Sequence, residues 1–295
     1  MKIRFRQIVP LVLLLGCVTI QSAGVSADGT LRLIVFGDSL SDSGNIPAPS
    51  PPYFAGRWSN GPTYADRLAF RLGIGPGLVP SNAGGTNYAR AGARVIGTNG
   101  VTEQVVAYLQ DARWRADRRA AYVVFIGGND LRDGVQAAFT DPAFDPAAFV
   151  DRRLVALGIT LTGLSALGAR NFVVLGLPDL ARLPGVPPQA MPLASFMSAR
   201  FNAGVQRIVR FLDRQPGRAV FVSVSTLFND ILADAAAGGP RFGITNVTGT
   251  CLTIVNGLPV AQCGNPDQYL FWDPIHPTAR AHDLLAEFVI DSLSD

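Results

Sequence analysis

The sequence is short of the residues that build metal centres, phosphate sites and nucleic-acid surfaces. Two histidines and three cysteines are spread over 295 residues, and they are not gathered at the spacing a zinc site needs. No Gly-rich phosphate loop or metal motif is present, so neither a cofactor nor a metal is expected. Lysine is confined to Lys2, and every other basic residue is arginine. The one dense arginine group, Arg113, Arg115, Arg118 and Arg119, reads as a solvated helix end rather than a phosphate track. Apolar runs long enough to span a membrane, about 20 residues, are also missing. The run from Ile8 to Ile20 is too short, and there is no second candidate.

What is there is 48% hydrophobic and 16% charged, the balance of a globular protein with a large core. The N-terminus reads separately. Lys2, Arg4 and Arg6 precede the apolar run and "QSAGVSA" follows it, the pattern of a secretory signal peptide over residues 1–27. Cleavage near Ala27 is expected, leaving residues 28–295 as one secreted or periplasmic domain. The segment "LLGC" offers a competing reading, a lipoprotein anchored through Cys17. All 22 acidic residues follow Ala27, so the mature chain carries 22 charges of each sign. The sequence pI of about 9.0 then belongs mostly to the leader and is no evidence for nucleic-acid binding. In an exported chain Cys251 and Cys263 are expected to pair, closing a loop worth roughly 3 kcal/mol in the chain-entropy model.

The fold class follows from alternation. "LRLIVF" (31–36), "AYVVFIGGND" (121–130), "NFVVLGLPD" (171–179) and "AVFVSVS" (219–225) are apolar, β-branched runs of strand character. Between and around them lie helical spacings over 63–72, 101–114, 196–211 and 278–293, and a helix capped by Asp145 with Pro146 in its first turn. Strands separated by helices imply an α/β fold, a three-layer α/β/α sandwich around a central parallel sheet. In such sheets functional residues collect beyond the C-terminal strand ends. Ser39 follows the first strand and Asn129 the second.

A serine nucleophile needs a base, and the base needs an orienting acceptor. His276 lies in "FWDPIHPT", three residues after Asp273, in a loop stiffened by Pro274 and Pro277. That spacing can set a carboxylate beside Nδ1 and leave Nε2 outward. His282 has no such local partner and reads as a helix-surface or packing residue. Oxyanion donors are backbone N–H groups or amides fixed before charge develops. Asn129 in "GGND" and Gly92 in "NYARAGAR" qualify, although Gly-Asn-Asp segments are common turns and Gly92 is equally readable as a loop glycine.

The blocks "FGDSLSDSGN", "NYARAGA", "GGND" and "DPIHPT" resemble, in order and approximate spacing, those of the GDSL-type SGNH hydrolases, whose fold is flavodoxin-like. The resemblance runs over residues 31 to 293 and is to the branch of bacterial secreted lipases, phospholipases and haemolysin-like esterases. It implies Ser39 as nucleophile, His276 as base, Asp273 as its orienter, and Ser39, Gly92 and Asn129 as the oxyanion hole. One position departs: close members have two adjacent glycines in the second block, and here Ala91 precedes Gly92. The implied activity is hydrolysis of small-molecule or lipid esters by a monomer, without nucleic acid. Polysaccharide acetylesterase and thioesterase activity are the alternatives on the same machinery, and a catalytically silent lipid- or glycan-binding protein is a further one. Phe139, Phe144, Leu183 and Val186 are readable as an acyl pocket or as loop core, and Trp58 as either. Some members carry a C-terminal membrane barrel; with the sequence ending at Asp295, none is expected.

Overall fold

A computed structural model describes residues 32–294. The expected signal segment 1–27, with Cys17, lies outside the described residues. Four strands form the central sheet: β1 (Leu33–Gly37), β2 (Ala121–Phe125), β3 (Asn171–Leu175) and β4 (Arg218–Val222). They are parallel and adjacent in that order. Every residue of β1 and β2 is buried, as a parallel sheet covered on both faces requires. The register pairs Gly37 with Phe125, Phe125 with Leu175 and Leu175 with Val222. All four strands therefore end level, and their following loops share one rim. Along the free edge of β1, the Val35 N–H donates to Thr86 O, and Tyr88 and Arg90 donate to Val35 O and Gly37 O. This segment acts as a fifth, irregular edge strand, so the chain crosses from one edge to the middle as in the flavodoxin order.

Seven helices cover the sheet among the described residues: α1 (Tyr64–Arg71), α2 (Val101–Asp111), α3 (Gly128–Thr140), α4 (Pro146–Ala166), α5 (Met191–Leu212), α6 (Val224–Ala236) and α7 (Ala279–Ser294). Helices α2 to α5 pack on one another, and α1 and α6 pack on α7. Strand alternation sorts the two faces. Phe36 and Tyr122 meet Tyr108 of α2, with centroids 5.9 and 5.7 Å apart, while Phe125 meets Tyr64 of α1 at 5.7 Å. Thr63 and Asp66 make a reciprocal capping box at the start of α1. Asp145 accepts from the Ala148 N–H and Pro146 opens α4, as the sequence predicts.

The structure departs from the sequence reading in several places; α5, expected over 196–211, already begins at Met191. Helix α2 stops at Asp111, not Trp114, because Arg113 and Trp114 take left-handed φ of 52° and 60°. The four clustered arginines are exposed on the turn that follows. The Gly-Gly segment after β2 is not only a turn: Gly127 caps α3, which begins at Gly128. The run "SVS" after β4 belongs to α6 rather than to the strand.

Near the C-terminus, β5 (Asn246–Thr250) pairs in parallel with β8 (Tyr269–Phe271), and β6 (Leu252–Val255) with β7 (Leu258–Gln262) forms a hairpin. Cys251 and Cys263 are disulfide-bonded at the hairpin base. Strand β8 leads into Trp272, which is fully buried against Tyr53, Cys251 and Leu252. That anchor fixes the start of the Asp273–His276 loop.

Candidate active site

The loop after β1 is held by its own polar residues. Asp42 Oδ1 accepts the N–H groups of Gly44 and Asn45, and its Oδ2 accepts those of Ile46 and Ala91. Asn45 Nδ2 donates to Asn87 O and Ala89 O, Asn87 Nδ2 donates to Ser41 O, and Ser41 Oγ lies 2.9 Å from Tyr64 Oη. Ser39 takes no part in this scaffold. Its one side-chain hydrogen bond among the described residues goes elsewhere, to His276 Nε2 at 2.9 Å.

His276 Nδ1 lies 2.7 Å from Asp273 Oδ2. Asp273 Oδ1 accepts the N–H groups of Ile275 and His276, and Oδ2 also accepts the Tyr53 hydroxyl at 2.7 Å. Burial pushes the Asp273 carboxyl up, but the imidazole, the Ile275 N–H and the Tyr53 hydroxyl outweigh it and hold it below the usual range. An ionised carboxylate only accepts, so the proton sits on Nδ1 and the Nε2 lone pair faces the Ser39 hydroxyl. The Trp58 ring lies over His276, with centroids 5.4 Å apart at 35°. Trp58 is itself held by its Nε1–H on Ile46 O and by contact with Tyr53.

Ser39, Asp273 and His276 are thus brought together. The two remaining donor candidates are linked through Ala93, the residue after Gly92. Asn129, in the first turn of α3, donates through Nδ2 to Ala93 O at 3.0 Å, which leaves one amide hydrogen free. Gly92 occupies the third position of a turn closed by Ala93 N–H to Arg90 O. Its φ of +77° is the value glycine supplies there, as in a type II turn. The N–H groups of Ser39 and Gly92 have no partner among the described residues. The strain-prone position is Gly92; Ala91 is outside the left-handed region, and its N–H ties this turn to Asp42. The extra methyl at Ala91 therefore costs no backbone strain.

Asp38, next to Ser39 in the chain, is buried with the Leu40 N–H on Oδ1. Burial drives its carboxyl up to about 7, against the pull of that N–H and of His276. Between about pH 4, the unfolded value, and pH 7 the folded chain holds a proton there that the unfolded chain releases. This group's contribution to stability therefore falls as pH rises through that window. Asp38→Asn cannot titrate. Urea midpoints at pH 4, 5.5 and 7.5 are expected to move in its favour relative to the unsubstituted protein as pH rises. A difference independent of pH would show that Asp38 titrates alike in the folded and unfolded chain.

An apolar cavity of about 80 Å³ lies beside the loops that carry Ser39 and His276. Leu40, Ile275 and Pro277, chain neighbours of Ser39 and His276, line one part of it, and Leu227, Phe228 and Ile231 of α6 line another. Of the sequence candidates for such a pocket only Leu183 lines it. Phe139 is exposed and Phe144 packs on Phe149.

Comparison with known proteins decides the family. The sequence profile of the GDSL-like lipase/acylhydrolase family matches residues 33–289. The chain belongs to this family. A GDSL esterase/lipase of Arabidopsis thaliana is 28% identical over 89% of this chain and 82% of its own length. Lipase 1 of Photorhabdus luminescens is 26% identical over 92% of this chain, which spans about half (52%) of that longer protein. A protein of Parabacteroides merdae described as a GDSL-like lipase superposes with a TM-score of 0.52 at 13% identity, covering 93% of this chain and 98% of that one. The likeness supports the α/β fold, and the sequence relatives make this GDSL chain a carboxylic ester hydrolase. No helix of its described residues is long and apolar enough to cross a membrane.

Proposed function

We propose that the chain is an exported serine esterase that cleaves short-chain acyl esters through an acyl-enzyme on Ser39. The observation that carries this reading is the continuous hydrogen-bond chain from Ser39 Oγ through His276 to Asp273, at 2.9 and 2.7 Å. His276 takes the Ser39 proton as Oγ attacks the ester carbonyl and the Oγ–C bond forms. The N–H groups of Ser39 and Gly92 and the Asn129 amide receive the oxyanion. The C–O bond then breaks, His276 protonates the departing alcohol, and water repeats the sequence on the acyl-enzyme. The π face of Trp58 favours the transient imidazolium, and the Tyr53 hydroxyl steadies the carboxylate that orients it. Asn129→Ala is expected to lower kcat by about 10² to 10³, with KM for the same ester little changed; an unaltered kcat would remove Asn129 from the oxyanion hole.

Export is supported by the basic, apolar and small-residue pattern of residues 1–27 and by the Cys251–Cys263 bond. Chain length is argued from volume. A cavity of about 80 Å³ is about half the roughly 150 Å³ of one that takes up benzene, so it accepts a chain of a few carbons. Hydrolysis of p-nitrophenyl esters from acetate to palmitate is therefore expected to peak near butanoate to hexanoate. An optimum at palmitate would overturn the short-chain reading, and turnover of acetate alone would favour a deacetylase.

A further inference from the structure

Gly92 is the most exposed member of the proposed oxyanion hole. Apart from its chain neighbours, no atom lies within 4 Å of where a Cβ would stand. Glycine turns about its backbone more freely than any other residue, whereas an oxyanion donor works only if it is fixed before charge develops. Hydrogen bonds must therefore do here what packing does not. Before the turn, the Ala91 N–H is held by Asp42 Oδ2 at 2.8 Å. After it, α3 grips the chain twice. Asn129 Nδ2 donates to Ala93 O at 3.0 Å, and the Val95 N–H donates to Asp130 Oδ2 at 2.9 Å. Gly92 itself has one hydrogen-bond partner among the described residues, the Arg94 guanidinium. Arg94 Nη1 donates to Gly92 O at 2.6 Å, while Nε and Nη2 donate to Asp133 of α3 at 2.5 and 2.9 Å.

We infer that Arg94, braced by Asp133, is a positioning residue that keeps the Gly92 N–H in place as an oxyanion donor. The inference rests on the esterase reading above and deepens it. The Asp42 bond fixes the peptide before Ala91, and the Arg94 bond fixes the peptide after Gly92. The peptide between them, which carries the Gly92 N–H, is thereby held at both ends. A charge-assisted hydrogen bond is about twice as strong as a neutral one, which suits a restraint on so free a residue. Asp133 supplies the orientation. With Nε and Nη2 both engaged, the planar fork has its direction set; without that brace, a long arginine side chain spreads over many rotamers. As a plain stabiliser the pair has little use. Its side chains are 44% and 46% exposed, and ion pairs so placed contribute about 1 kcal/mol or less. What it joins decides its role: α3, which carries Asn129, and the turn that carries the other donor.

The test compares Arg94→Met, which keeps the stem and removes the cation, and Asp133→Ala with the unsubstituted full-length protein. On p-nitrophenyl butanoate, Arg94→Met is expected to lower kcat about tenfold, less than the roughly 10² to 10³ lost with a whole donor. KM and the thermal midpoint should change little. The Ki of a trifluoromethyl ketone is expected to rise by the same factor as kcat falls. Ser39 Oγ adds to that carbonyl, its proton passes to His276, and the ketone oxygen becomes the oxyanion the hole receives. Asp133→Ala is expected to move kcat and Ki in the same direction. The double variant should be no worse than Arg94→Met alone, because Asp133 acts through Arg94. A kcat within about twofold of the unsubstituted value in both single variants would overturn the inference. So would a kcat that falls together with the midpoint while Ki stays unchanged, the mark of a merely structural pair. If Arg94→Met does not fold, Asp133→Ala decides by the same readings. Phosphonate labelling of Ser39 in the unsubstituted protein separates the two levels. An unlabelled serine sinks the esterase reading and this inference with it, whereas a labelled one with flat kcat and Ki in the variants sinks only the role of Arg94.

Discussion

Replacing Ser39 by alanine is expected to lower kcat on p-nitrophenyl butanoate by roughly 10⁶-fold, the loss associated with removing the nucleophile from a triad that acts as a unit. The fold should survive. The loop that carries Ser39 is tied down by Asp42, Asn45, Asn87 and Ser41, and the Ser39 hydroxyl bonds only to the imidazole among the described residues. Its truncation thus removes one partly exposed hydrogen bond and opens no core cavity. A residual rate above water of about 10³ is consistent with donors that remain in place. The decisive measurement combines kcat, stoichiometric labelling by a serine-directed phosphonate, and the thermal midpoint. Turnover that persisted in a folded, unlabelled Ser39→Ala protein would move the reaction to another site.

Asp273→Asn is expected to cost about 10⁴ in kcat. The reason is the tautomer rather than the charge alone. Two backbone N–H groups fix Oδ1 of residue 273, so an asparagine would keep its oxygen there and turn its NH₂ toward Tyr53 and His276. That NH₂ donates to Nδ1, moves the imidazole proton to Nε2, and leaves no lone pair facing Ser39. Labelling of Ser39 should slow in parallel with kcat, while KM for the ester changes little. Equal rates in Asp273→Asn and the unsubstituted protein would mean that the orientation of His276 is set by Trp58 and the prolines instead. The effect is smaller than that of losing Ser39, because the nucleophile and the donors stay in place.

Ser39, Asp273 and His276 were legible because each sits in a short local pattern whose geometry the chain itself imposes. Gly92 stayed open between a donor and a loop glycine, because a backbone N–H leaves no mark in a sequence and a positive φ is common among the glycines of this chain. Tyr53 and Trp58 were not, since their contacts to Asp273 and His276 cross more than two hundred residues of sequence and their Pro-rich loop has no periodicity to read. The cavity was legible only at Leu183. Its inner wall comes from α6, and "VSVS" continues the strand alternation of β4 straight into that helix, so no break marks where the period changes from two to 3.6. His282 was placed between surface and packing because its partner is the Tyr64 backbone N–H, which leaves no mark in a sequence.

The disposition of the triad along the chain has a consequence for when activity first arises. Ser39 lies at the beginning of the described residues, and its base is 237 positions later, on a loop whose anchor Trp272 packs against Tyr53 and the hairpin base. On the proposed esterase reading, a ribosome that has made everything up to β7 has produced a nucleophile with no base. Hydrolysis therefore begins only after translation has passed His276 and the two ends of the chain have found each other. The long loop closure this requires makes ester turnover a report on the last contacts to form.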